Sequence, residues 1–152
     1  MIPYASVASL TLTLVFASPW PSPPATQGAE SDKSMSNNIT IRIGDQAFSA
    51  TLSDNATAAA FKKLLPLSIT MTELNGNEKF ARLPGSVPTQ ALRPSSIRTG
   101  DLMLYGSSTL VLFYKSFSTT YSYTKIGQVE DPEGLAVALG SRNVAVTFKA
   151  KR

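Results

Sequence analysis

The chain has 152 residues, 43% of them hydrophobic, and a formal net charge of +4, which suits a single folded domain with a packed core. It contains no histidine and no cysteine, which excludes Ser-His-Asp and Cys-His catalysis, disulfide bonds, and metal sites built on imidazole or thiolate ligands. Most of its positive charges are scattered singly, so they predict a solvated basic surface without nucleic-acid binding, and no metal or cofactor is expected.

The first 35 residues differ in character from the rest. Residues 7–16 form an apolar run, and four prolines follow between residues 19 and 24. The run is too short for a membrane-spanning helix, which needs about 20 apolar residues, but it has the length of a signal-peptide core. This predicts a signal peptide with a Pro/Ser-rich linker, and an exported protein. Because no Lys or Arg precedes the run, the alternative is a true start at Met35 and a cytoplasmic protein. Both alternatives place the folded domain at residues 36–152.

Strand patterns dominate the first half of that domain. Apolar and polar residues alternate in three segments, which predicts half-buried strands: residues 38–43, 46–52 and 67–74. Residues 78–83 are predicted as a further short strand. Asn55 is a good N-cap for a helix over residues 56–65, where the apolar side chains have helical spacing, and Pro66 ends that helix. Residues 75–77 read Asn-Gly-Asn, which predicts a turn.

The second half begins with a loop rich in Pro, Ser and Thr over residues 84–99, which is longer than most connections. Four more strands are predicted after it: residues 102–105, 110–114, 125–129 and 143–148. Asp131 is the predicted N-cap of a second helix, with Pro132 at its first position and Gly140 at its end. Seven or eight short strands with two short helices favour a mainly β fold, a closed barrel with helices over its ends.

The order of these elements resembles the cyclophilin-like fold family, a set of small bacterial domains related in shape to cyclophilins. The residues that carry the resemblance are the opening ITIRIGDQAFSATLSDNATAAAFKKLLP, then GDLMLYG, LVLFY, YTKIGQVEDPEGLAVAL and the final VAVTF. Together they span nearly all of residues 38–149. The resemblance implies a closed cyclophilin-like β-barrel. Many members of that family carry an export signal, so it also favours the secreted alternative.

Cyclophilins themselves are peptidyl-prolyl isomerases. Their proline pocket uses an arginine from a strand with nearby Phe, Met and Gln, a later Phe, and often a Trp and a His. The resemblance puts Arg82 in place of the catalytic arginine, Phe80 in place of an aromatic and Phe113 near the later Phe. The chain departs from the pattern because it has no His and its one Trp, Trp20, lies in the leader. Isomerisation needs no proton transfer, so a diverged isomerase is an alternative function for this chain. For Arg82, the alternative to a catalytic role is that of a surface charge.

The aromatic residues favour a different function, the binding of a peptide or small ligand. Tyrosine offers apolar area together with a hydroxyl, which is typical of binding grooves. With Phe80, the predicted ligand-binding set contains Tyr105, Phe113, Tyr121 and Tyr123. Phe113 lies in an unbroken apolar run and fits a core position as well, whereas Tyr121 and Tyr123 would share one face of a strand. We expect a monomeric binding module without a stable membrane span.

Paired carboxylates are a third possible source of chemistry. Glu73, Glu78 and Asp101 are available as an acid and a base. Nothing in their spacing predicts that two of them meet, and Asp101 at a strand start fits ordinary turn chemistry. Ligand binding is therefore the favoured prediction, with isomerase activity as the alternative.

Overall fold

The computed structural model describes residues 36–152, so the predicted leader lies outside the described residues. Within that range the backbone forms ten strands and two helices. The strands are β1 Asn38–Ile43, β2 Gln46–Leu52, β3 Leu67–Leu74, β4 Glu78–Arg82, β5 Ser96–Ile97, β6 Asp101–Tyr105, β7 Thr109–Phe113, β8 Phe117–Ser118, β9 Thr124–Val129 and β10 Val144–Ala150. The helices are α1 Ala56–Lys63 and α2 Leu135–Leu139.

Eight of these strands close into a barrel in the order β1-β10-β3-β4-β7-β6-β9-β2. Every neighbouring pair is antiparallel. Closure pairs both edges of each barrel strand, which leaves no free edge for another chain to extend. The predicted fold class, a mainly β protein with a closed barrel and two short helices, is confirmed.

Alternating side chains separate the inside of the barrel from its outside. Ile39, Ile41 and Ile43 of β1 are buried in the barrel core, as the predicted strand pattern requires. On β6 and β7 both faces are apolar. Leu102, Leu104, Leu110 and Leu112 point into the barrel core, whereas Met103, Val111 and Phe113 belong to a second core. Successive residues of a strand face opposite ways, so this second core lies outside the barrel.

The two helices cover opposite ends of the barrel. Helix α1 follows the end of β2 and α2 follows the end of β9, which runs antiparallel to β2. Asn55 caps α1 as predicted, because its Oδ1 accepts a hydrogen bond from the Ala58 backbone N–H at 2.8 Å. Inside the barrel, Phe61 of α1 meets Phe148 edge to face, with ring centroids 5.6 Å apart.

The predicted start of the second helix is wrong. Helix α2 begins at Leu135, and its N-cap is Gly134 with a φ of 80°, a left-handed backbone that glycine adopts without steric cost. Asp131 closes a local turn instead, with its Oδ1 accepting from the Glu133 N–H at 3.2 Å. An Asp-Pro start fits a turn as well as a helix, and sequence alone did not separate them.

The segment predicted as a long loop contributes to a small second sheet. Strand β5 lies within residues 84–99 and pairs with β8, which comes soon after β7. An isolated bridge between Leu92 and Tyr123 adds two backbone hydrogen bonds of 2.9 Å. These pairings hold the outer segments over the second core. Across residues 36–152, neither helix is long and apolar enough to cross a bilayer.

Candidate functional site

A cleft of about 580 Å³ opens on the outer face of the barrel, above β4, β7 and β6. Phe80 and Val111 are cross-strand partners on β4 and β7, and both line it. Tyr105 of β6 and Thr109 of β7, also cross-strand partners, line it too. The facing wall is formed by residues 117–121 together with Tyr123. A pocket of this size suits a small molecule or a few residues of a peptide.

Five aromatic rings connect the cleft to the second core. Phe113 contacts Phe117 and Tyr123, with centroid distances of 5.6 Å and 5.5 Å. Tyr105 in turn contacts Tyr123 at 5.8 Å and Tyr121 at 6.2 Å. These spacings fall within the range of favourable aromatic pairs. Each ring is therefore positioned by at least one other ring, which reduces the ordering that a ligand has to impose.

Most of the predicted ligand-binding residues meet at this cleft. Phe80, Tyr105, Tyr121 and Tyr123 all line it, although Tyr121 and Tyr123 lie in an irregular segment ahead of β9, not on one strand. Phe113 is fully buried beneath it and supports Phe117 and Tyr123 from below.

Arg82 is exposed at the end of β4, two residues beyond Phe80 and therefore on the same face of that strand. It is not among the residues that line the cleft. Its cross-strand partner Thr109 does line the cleft, so Arg82 lies next to the site without forming part of its lining.

The turn between β3 and β4 shapes one end of the cleft. Asn75 and Gly76 have φ values of 55° and 66°, the left-handed pair expected for an Asn-Gly hairpin turn. The turn brings Asn77 and Glu78 to the cleft, where both contribute to its lining. We call the part formed by Asn77 and Glu78 the Glu78 end.

Sequence reasoning named Glu78 only as a possible acid or base and did not place it in the ligand site. A signal was available: Glu78 is two residues before Phe80 on the same predicted strand, so the two share a face.

Behind the Glu78 end, a buried lysine is fully satisfied inside the barrel. Lys79 has no exposed surface, and its ammonium pairs with the Glu73 carboxylate. The same Nζ donates to the backbone carbonyls of Gly140 and Arg142 at 2.8 Å and 2.7 Å. The Tyr114 hydroxyl lies 2.8 Å and 2.9 Å from the two Glu73 oxygens. Such a complete set of partners is what a buried charge requires.

These contacts lower the pKa of Glu73 and raise the pKa of Tyr114. Burial alone raises the pKa of Glu73, but hydrogen bonds from Lys79, Tyr114 and the Gly76 N–H outweigh it and hold that pKa below 4.5. Burial and the Glu73 carboxylate raise the pKa of Tyr114 to about 12. At neutral pH, Glu73 is therefore an anion and Tyr114 a neutral hydrogen-bond donor.

The environment of Glu78 is the opposite of that of Glu73. The residue is 9% exposed, and its carboxylate has no hydrogen bond or ion pair with any residue in the range 36–152. Burial, followed by repulsion from Glu73, raises the pKa of Glu78. Burial and the charge of Glu78 likewise raise the pKa of Tyr123. Glu78 is thus a partly desolvated acid beside the cleft tyrosines, with no partner among the described residues.

The third candidate carboxylate lies elsewhere. Asp101 lines a separate cavity of about 530 Å³. Its Oδ2 accepts from the Arg98 backbone N–H at 2.8 Å, which is the turn role expected of it. Over residues 36–152 no group of acidic side chains is arranged to hold a metal ion.

Comparison with known proteins identifies the family. The model of the cyclophilin-like family matches residues 41–149, which is most of the chain. A solved structure with a similar fold is the solution structure of the hypothetical protein AF2241 from Archaeoglobus fulgidus. It has 12% sequence identity and a TM-score of 0.49, over 77% of this chain and 96% of that one. No curated protein matches the chain. On the strength of the family match, the chain belongs to the cyclophilin-like family.

Proposed function

We propose that the protein is a binding module that takes a peptide or small-molecule ligand in the outer-face cleft. The observation that carries the proposal is the lining of this cleft, where three tyrosines and two phenylalanines surround about 580 Å³ of open space. Flat aromatic rings supply contact area and lose little conformational entropy on binding. The tyrosine hydroxyls can form hydrogen bonds that orient the ligand.

The exposure of these rings supports the same function. Tyr121 is 62% exposed and Tyr105 is 48% exposed, although apolar area of this kind is stabilised by burial. Both rings border the cleft and contact each other. A ligand that covers them would remove this exposed aromatic surface from water, which gives binding a favourable free energy.

Prolyl isomerisation is the alternative function, and it depends on Arg82. This arginine is exposed and is not among the residues that line the cleft, so the lining itself supplies no cationic donor for a bound proline. The location of Arg82 therefore favours binding. We expect the protein to leave the isomerisation rate of a short X-Pro peptide unchanged. Acceleration that disappears in Arg82→Ala would instead establish a diverged isomerase.

Fluorine NMR of the tyrosines tests the binding proposal directly. The full chain, which has five tyrosines, is labelled with 3-fluorotyrosine, and each signal is assigned from a Tyr→Phe variant. The probes are blocked tripeptides, acetyl-Ala-X-Ala-amide, with X varied over the common side chains at millimolar concentration. We expect the signals of Tyr105, Tyr121 and Tyr123 to shift with at least one probe. The Tyr114 signal should stay in place, because that ring belongs to the barrel core.

A matched pair of surface variants provides the control. Tyr121→Ala removes an exposed ring from the cleft and should weaken binding of the best probe roughly tenfold, as expected for an aromatic anchor. Val137→Ala changes another exposed apolar residue, on α2 and away from the cleft lining, and should leave binding unchanged. The proposal fails if no cleft signal responds to any probe, or if both variants bind like the wild type.

A further inference from the structure

The Glu78 end of the cleft contains a carboxylate for which the protein supplies no partner. Glu78 is nine-tenths buried, and an anion in such a place is costly unless a cation or several donors compensate it. Arg82 lies on the same face of β4, but it forms no ion pair with Glu78. Lys79, the residue after Glu78, faces the barrel interior, where Glu73 and two carbonyl oxygens use all three of its protons. Some solvent still reaches the Glu78 oxygens, so water or a ligand in the cleft is their partner.

The cleft is also locally acidic, although the protein as a whole is basic. Glu78 is the one charged residue among those that line the cleft, whereas the chain carries a net charge of +4. Asn77 also lines this end of the cleft, and its Oδ1 is buried without a hydrogen-bond partner. Two unpartnered acceptors, one of them anionic, form a site that accepts hydrogen bonds and attracts positive charge.

The cleft tyrosines also favour a cationic ligand. The faces of aromatic rings attract cations, and Tyr105, Tyr121 and Tyr123 line the same cleft. We infer that the Glu78 end receives a positively charged nitrogen of the ligand, an alkylammonium or a guanidinium, with Glu78 and Asn77 as acceptors. This inference rests on the proposed function of the cleft as a binding site. The raised pKa of Glu78 agrees with it, because a bound cation would relieve the unfavourable charge.

Two kinds of ligand carry this chemistry, a free amine and a lysine or arginine side chain of a peptide. Matched probes distinguish them. The first pair is n-butylammonium and n-butanol, which have similar size but differ in charge. The second pair is acetyl-Ala-Lys-Ala-amide and the same tripeptide with norleucine in place of lysine. All four are titrated into the full chain labelled with 3-fluorotyrosine, and the signals of Tyr105 and Tyr123 are followed.

We expect the cationic member of at least one pair to bind roughly tenfold more tightly than its neutral partner, the size of effect that a charge-assisted hydrogen bond gives. Glu78→Gln keeps the shape of the side chain and should remove that preference. Glu133→Gln removes one negative charge from an exposed position outside the cleft lining and should preserve it. A preference for the cationic probe in the first pair alone would identify a free amine as the better ligand. A preference for the cationic probe in the second pair would identify a peptide side chain.

The circular dichroism spectrum reports whether each variant keeps its fold. Asn77→Ala, a second variant at the same end, should weaken binding of the cationic probe several-fold. Equal binding of charged and neutral probes, or an unchanged preference in Glu78→Gln, would overturn the cation assignment and leave the cleft as a binding site. If neither these probes nor the wider tripeptide set affects the cleft signals, the binding function itself fails.

Discussion

Two glutamates five residues apart show how environment sets the behaviour of identical side chains. Glu73 is held by Lys79, Tyr114 and a backbone N–H, and its pKa is lowered. Glu78 is more deeply buried, has no partner, and its pKa is raised. Glu73 thus belongs to a structural network in which its charge is fully paired. The raised pKa means that the folded protein disfavours the ionised form of Glu78, which is typical of residues that serve a ligand.

This contrast predicts opposite effects from the same substitution. At pH 7, Glu78→Gln should raise the free energy of unfolding by roughly 1 kcal/mol, because it removes a buried, unpaired charge. Glu73→Gln should lower it by about 1–3 kcal/mol, because Lys79 loses its counter-ion. Urea unfolding followed by circular dichroism measures both values.

The pH dependence of each effect follows from the direction of the pKa shift. A raised pKa means that the folded state is stabilised below about pH 4.5, the unfolded value, and loses that stability as the pH rises through the folded pKa. The gain from Glu78→Gln should therefore be absent at pH 4 and grow towards neutral pH. Glu73 has a lowered pKa, so its contribution is present above pH 4.5 and is lost as the pH falls through the folded pKa. A pH-independent gain from Glu78→Gln would contradict this account.

At the scale of elements, the barrel depends on one close approach between β9 and β2. Gly127 pairs with Leu52, and a Cβ atom added to Gly127 would lie 2.5 Å from the Thr51 carbonyl oxygen. That distance is well inside van der Waals contact, and the neighbouring atom belongs to the backbone, so it cannot rotate away. Glycine is required here for space, since the backbone of Gly127 has no positive φ.

We expect Gly127→Ala to lower the free energy of unfolding by about 2–3 kcal/mol, the upper range for overpacking. Gly85→Ala is the matched control, because nothing lies within 4 Å of its added Cβ and its φ is also not positive. The control should change stability by less than about 0.5 kcal/mol. Similar urea midpoints for the two variants would show that β9 and β2 can move apart without cost.

At the scale of the whole molecule, the barrel was predictable because its strands are long enough to show a period of two. The Ile39–Ile41–Ile43 alternation fixes the buried face of β1 without reference to any other element. Strands β5 and β8 have two residues each, which is too short for any periodic pattern, so they were missed. The start of α2 was misplaced because Asp131 forms a turn where a cap was expected.

The site was partly predictable for a related reason. Phe80, Tyr105, Tyr121 and Tyr123 stand out by residue type, and the cleft does bring them together. Glu78 does not stand out, because its burial depends on how the turn before β4 and the segment of residues 117–123 come to lie around it. No local pattern encodes that approach. The irregular path of Tyr121 and Tyr123 was equally hidden, since it depends on the bridge to Leu92.

The two separate cores have a further consequence for how the protein opens. A closed barrel has no terminal strand that can fray, so its backbone amides should exchange with solvent mainly when the whole domain unfolds. The outer layer has two-residue strands, an isolated bridge and a few further hydrogen bonds, so we expect it to open while the barrel stays intact. The wall of the cleft would then behave as a separate, less stable cooperative unit. Ligand binding would be detected as slower amide hydrogen exchange in residues 117–123. The barrel amides, whose exchange should not change, provide an internal reference.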